Sequence, residues 1–138
     1  MASLIYNRFF ELWARGNIDL DTDSFKWMLT TSAYTEDKDA HDFRNDVTNE
    51  VTGTGYTAGG NSLTVTLTLD TANDRLDIQL GGTTWPSSTI TARKAVAYKS
   101  RGGLASADEL LMVNDFGQDI ATTAGTFTLN ASTMRIQN

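Results

Sequence analysis

Seven consecutive residues, Leu63 to Leu69, alternate aliphatic side chains with threonine without a break. A period of two is the period of a β-strand, because successive side chains point to opposite faces. The pattern therefore predicts a strand with Leu63, Val65, Leu67 and Leu69 inward and Thr64, Thr66 and Thr68 outward. Asp70 to Asp74 follows as a turn with Asn73-Asp74 at its tip. Leu76, Ile78 and Leu80 then alternate against Asp77 and Gln79, so residues 63–80 read as a β-hairpin, closed by Gly81-Gly82.

Composition extends this reading to the whole chain. The 138 residues contain 21 Thr and 9 Ser but 1 Pro. Threonine is β-branched, favours the pleated backbone and tolerates water at its hydroxyl. Further strands are expected at Ser24–Thr31, with Phe25, Trp27 and Leu29 on a buried face, and at Ile90–Tyr98, with a bulge at Arg93-Lys94. A short buried strand is expected within Asp108–Phe116, followed by a turn region over Gly117–Gly125. Phe127 and Leu129 mark the last alternating strand, and Met134 and Ile136 close the chain. Trp85-Pro86-Ser87-Ser88 reads as a corner. Short strands separated by Gly, Asn and Asp turns predict an all-β domain, a β-sandwich or jelly-roll-like fold, over residues 17–138.

The N-terminus differs. Leu4, Ile5, Phe9, Leu12 and Trp13 recur near the helical period, widened by Tyr6 and Phe10. Ser3 is placed to cap a helix over Leu4–Arg15, and Gly16 to end it. So aromatic a stripe must be covered, either by its own domain or by a neighbouring subunit. We read residues 1–16 as a helical arm, with Phe9, Phe10 and Trp13 as candidate partner contacts. An arm of this kind is removable without unfolding the β-domain.

Several functions are disfavoured by residue type. There is no cysteine and one histidine, which leaves no disulfides, no Cys-ligated metal and no His cluster. Net charge is −6, opposite to the basic footprint of a duplex binder. Residues 1–50 carry 10 acids and 5 bases, whereas residues 51–138 carry 7 and 6, so the acidity lies in the first third. No run approaches the length of a membrane span, and the interrupted apolar start reads as no secretion signal. Neither nucleic acid nor membrane is expected as a partner.

The remaining motifs are weak. Asp19, Asp21 and Asp23 open like a calcium loop, but Ser24 and Thr30 stand where that loop needs Gly and Glu. His41 lies among Asp39 and Asp42 and reads as a solvated loop residue. Gly53 to Gly60 is glycine-rich but precedes a strand, not the helix a phosphate loop requires. Asp37, Asp39, Asp42, Glu50 and Asp108 are carboxylates of the type used in glycoside hydrolysis, with nothing to place two of them across a cleft. No catalytic, cofactor or metal site is expected, and the chain reads as a non-enzyme.

One set of segments goes beyond pattern. Asp19-Leu20-Asp21-Thr22-Asp23, Thr31-Ser32-Ala33-Tyr34-Thr35 and, above all, the stretch from Asp46 to Gly60 resemble a family of small tailed-bacteriophage virion proteins. Thr84-Trp85, Ser88–Arg93 and Asp115-Phe116-Gly117 are similar to the same family. The resemblance implies a structural protein of capsid decoration, or cement, type, made in the host bacterial cytoplasm and carried on the virion surface. It further implies the phage major capsid protein as partner and self-association as a dimer or trimer. Tyr56 and Trp85 join the candidate contacts. The alternative is a tail, neck or head-fibre component that stacks a host glycan on Trp85, Tyr56 and Tyr98.

Overall fold

The computed structural model describes residues 3–138. The strands are β1 (Leu4–Ile5), β2 (Phe25–Thr30), β3 (Asn61–Leu63), β4 (Val65–Asp70), β5 (Arg75–Leu80), β6 (Thr83–Ser88), β7 (Thr91–Lys99), β8 (Leu110–Ala121), β9 (Gly125–Leu129) and β10 (Ser132–Gln137). The one α-helix among the described residues, α1, spans Asn7–Ala14. The strands form three antiparallel sheets, ordered β1-β8-β7-β2-β3, β10-β5-β4 and β6-β9. The fold is all-β and sandwich-like, as the alternating runs require.

The first sheet is the framework. Its central strands β2 and β7 are covered on both faces. Trp27, Leu29, Ala95 and Ala97 lie in one apolar cluster, and Met28, Val96 and Tyr98 in a second. The expectation of a half-buried β2 is therefore corrected. Met28 and Thr30 are as buried as Trp27, because Tyr6, ahead of the helix, and the segment around Tyr34 and Val47 cover the face left to solvent in the sequence reading.

The N-terminal segment is also corrected. Leu4 and Ile5 pair with Val113 and Met112 of β8 rather than starting a helix. Ser3 does not cap α1; its hydroxyl accepts from the Asp115 N–H at 3.0 Å. The helix starts after Tyr6, whose N–H donates to Leu111 O at 3.1 Å. A free edge on β8 outweighs helical propensity at these two residues, since pairing there satisfies backbone groups and buries their side chains together. The helix end follows the expectation. Gly16, at φ +79°, donates to Trp13 O, and Asn17 donates to Leu12 O at 2.8 Å, the paired bonds of a Schellman cap. Tyr6 and Phe9 are buried in the protein's own core. Of the arm expected over residues 1–16, the first two residues lie outside the described ones; residues 3–16 do not stand apart from residues 17–138 but supply a strand and core side chains. The exposed area of 7122 Å² agrees with the roughly 7,100 Å² expected of a globular monomer of this mass.

Two further elements differ from expectation. Trp85-Pro86 is no corner but lies inside β6, where the pairing with β9 shifts register between Trp85 and Ser88. Proline fits there because a bulge frees it from donating to the ladder. Strand β8 runs on through Gly117, at φ +78°, to Ala121, where a turn was expected. Its far half pairs with Thr91 and Ala92 of β7, beyond the register shift that falls at Arg93.

Candidate functional site

The carboxylates and the histidine are tied into the framework. Glu50 Oε1 accepts from the Tyr56 hydroxyl at 2.7 Å and from the Gly59 N–H at 2.6 Å. Tyr56 in turn accepts from the Leu29 N–H, and Tyr98 donates to Gly59 O. The glycine-rich segment is therefore a clamped loop lying against β2. At Gly60, φ +77°, a Cβ would sit 1.7 Å from Trp27 O, so only glycine admits this approach.

Asp108 is buried and accepts from Arg44 Nε at 2.8 Å and from the Arg101 N–H. Asp37 accepts from the N–H groups of Asp39 and Ala40. Asp19 accepts from those of Asp21 and Thr22, while Asp23 accepts from Asp19 N–H and pairs with Lys99 at 2.7 Å. The aspartate run is thus a self-satisfied turn. No three His, Asp or Glu side chains among the described residues come close enough together to hold a metal ion.

His41 lies in a loop, as expected, but it is half-buried rather than free in solvent. Its ring stacks on Tyr34, and Nδ1 accepts from the Asp37 N–H at 3.3 Å. That nitrogen is therefore an acceptor, so Tyr34 donates to it at 2.9 Å and Tyr6 donates to Tyr34 at 2.7 Å. Beside this chain Lys94, itself buried, donates to Tyr34 O at 2.6 Å and pairs with the buried Glu36. Burial pushes the Tyr34 and Tyr98 hydroxyls up to about 12. It also raises those of Tyr6 and Tyr56.

The candidate contacts are divided by the structure. Phe9 is core and stacks on Trp13 with ring centroids 5.7 Å apart, and Trp13 is itself partly buried against the same cluster. Trp85 is 2% exposed, packed against Tyr56 and edge-on to Phe127. Only Phe10, 42% exposed, remains presented to a partner. With Trp85 and Tyr98 buried and the Tyr56 hydroxyl engaged, the three aromatics named for a glycan are not open stacking platforms.

Sequence reasoning missed an open apolar surface. It lies on the three-stranded sheet β10-β5-β4, which we call the wing. Near its base Ile78, Leu80 and Met134 are buried. Toward its tip Leu67 is 42% exposed, Leu69 72% and Ile136 38%. Leu69, Leu76 and Ile136 are cross-strand partners on one face, and they line an open recess of about 560 Å³. On the other face Arg75 sits 3.3 Å from both Asp70 and Asp77, and Arg135 Nε donates to Asp77 at 2.6 Å. Those bonds from Arg135 hold the Asp77 carboxyl below its usual range.

No family model, curated protein or solved structure matches this chain. Among the described residues no helix is long and apolar enough to cross a membrane.

Proposed function

We propose that the protein is a non-enzymatic bacteriophage virion protein of capsid decoration type, which binds the outside of the major capsid protein lattice and stabilises the shell. The observation that carries this reading is the contiguous apolar row on the wing. Large apolar side chains in contact with one another and left in water mark a surface used for association. Recognition on a rigid scaffold suits a protein that acts by burying surface rather than by chemistry. The resemblance of residues 46–60 to phage virion proteins supplies the partner. In this fold that stretch ends in the clamped loop on β2, so the likeness rests on structural residues rather than on a catalytic motif. Modest contacts repeated over a symmetric lattice hold firmly through avidity. The acidic first third is suited to basic ground on the shell.

The test is copy number per purified virion, measured by quantitative mass spectrometry against the major capsid protein. A simple stoichiometric ratio to the capsid subunit is expected. A handful of copies per particle overturns the decoration reading and moves the protein to the tail or portal vertex.

A further inference from the structure

We propose that the wing's β4 edge pairs with the β4 edge of a second copy of this chain, in an antiparallel two-fold register centred on Leu67. The argument starts from which backbone groups are free. Gly81 N–H donates to Thr64 O at 2.8 Å, so Thr64 and Gly81 form a hydrogen-bonded pair of the β4–β5 ladder. Such pairs recur every second residue in an antiparallel ladder. Thr66 and Thr68 therefore also turn their backbone groups toward β5, opposite Gln79 and Asp77. Val65, Leu67 and Leu69 turn theirs outward, and among the described residues no strand is hydrogen-bonded to β4 on that side.

Those three residues are spaced symmetrically about Leu67. A two-fold axis there sets Leu67 opposite Leu67 of the second copy, and Val65 opposite Leu69 in both directions. Every pair in this register consists of outward-facing residues, so about six backbone hydrogen bonds form at once. The side chains agree with the backbone. The exposed leucines of the two copies share one face, and Thr66 meets Thr68 on the other.

Charge permits the same register. No charged side chain lies between Thr64 and Leu69. Asp70 is paired with Arg75 and falls opposite Thr64 of the second copy, not opposite another carboxylate. Edge strands commonly carry a charge, a proline or a bulge that blocks such pairing. The opposite edge of the wing, β10, carries Arg135, and β6 carries Pro86 with its register shift. Strand β4 carries no proline and no register shift, and its one charge, Asp70 at its end, is paired with Arg75.

A contact of one strand edge and its leucines covers less than the roughly 800 Å² per partner of a stable interface. The dimer is therefore weak in solution, with a dissociation constant on the order of 100 μM. The proposal deepens the wing reading but is independent of the shell, because it is measured on the isolated protein. A failure here leaves the copy-number test untouched.

The experiment combines sedimentation velocity from roughly 10 μM to 1 mM, a range that spans the expected constant, with two variants. The wild type is expected to pass from monomer to dimer, and Leu67→Lys to stay monomeric at every concentration. Because the chain has no cysteine, Leu67→Cys introduces a single thiol. In this register the two sulfurs face each other across Cα atoms about 5.5 Å apart, within disulfide range. With dissolved oxygen as the oxidant, a disulfide-linked dimer is expected at least tenfold faster than for Thr126→Cys, a control on an exposed position of β9. A wild type monomeric up to the top concentration, a trimer, a dimer that survives Leu67→Lys, or equal cross-linking of the two cysteine variants each overturns the proposal.

Discussion

Strands β2 and β4 are both six residues long, and β4 shows the cleaner alternation, yet they end in opposite environments. In β2 all residues but Lys26 are buried, on both faces. In β4 the four residues from Thr66 to Leu69 are exposed, leucines included. The difference is one of position. Strand β2 lies inside a five-stranded sheet, beneath the helix and the clamped loops, whereas β4 is the outer strand of a three-stranded one. Alternation sets which side chains share a face. How many faces are covered depends on what packs above and below, which is decided by distant segments.

The sharpest way to break this contrast is to remove a distant cover. Deleting residues 1–15 strips β1 from the framework and takes Tyr6 and Phe9 out of the core. Truncating a single buried Phe costs about 3–5 kcal/mol, and native domains hold only about 5–15 kcal/mol in reserve. The truncated chain is expected to lose its cooperative thermal transition. A sharp transition within a few degrees of the wild type, by circular dichroism, would return the segment to the status of an arm.

The second test reads the framework alone. All four tyrosines of the chain, Tyr6, Tyr34, Tyr56 and Tyr98, belong to it and none to the wing. Burial raises each hydroxyl, Tyr34 and Tyr98 to about 12. An unfolded tyrosine ionises near 10. Between those values the unfolded chain binds fewer protons than the folded one, so stability is complete below about pH 10 and falls as pH rises toward 12. Each of Tyr34 and Tyr98 contributes on the order of 2 kcal/mol to that loss. Ionisation followed at 295 nm is expected to coincide with unfolding, in one step. Tyrosines that titrate near pH 10 in a chain still folded would show that this side of the framework is open to water.

Much of the fold was legible from local pattern. The hairpin of β4 and β5, the strand character of β2 and β7, the bulge at Arg93 and the glycine stop at Gly16 each depend on residues close in sequence. What failed depended on partners far away. The helix start was misplaced because β8, more than a hundred residues on, captures Leu4 and Ile5. Trp85, Tyr98 and Phe9 were offered as contacts because residue type does not report what covers an aromatic ring. His41 looked solvated among acids, but Tyr34, seven residues away, holds its ring. The wing was missed for the converse reason: a clean apolar alternation reads as buried, and nothing local marks Leu69 as the side chain that overhangs.

The matched pair Leu29→Ala and Leu69→Ala isolates that overhang. Both replace a leucine in a strand, and both remove the same atoms. Leu29 is fully buried in the main cluster, so its truncation leaves a cavity and is expected to cost about 2–5 kcal/mol. Leu69 is 72% exposed, and its truncation in the monomer is expected to cost less than about 0.5 kcal/mol. Urea unfolding at low protein concentration measures both without interference from association. A cost of 2 kcal/mol or more at Leu69 would mean that the wing tip is packed in solution, and that the apolar row is core rather than a surface for a partner. A negligible cost, together with weakened self-association of the same variant, would separate the two roles of one leucine-threonine alternation: the part under cover holds the fold, and the part beyond the cover is free to bind.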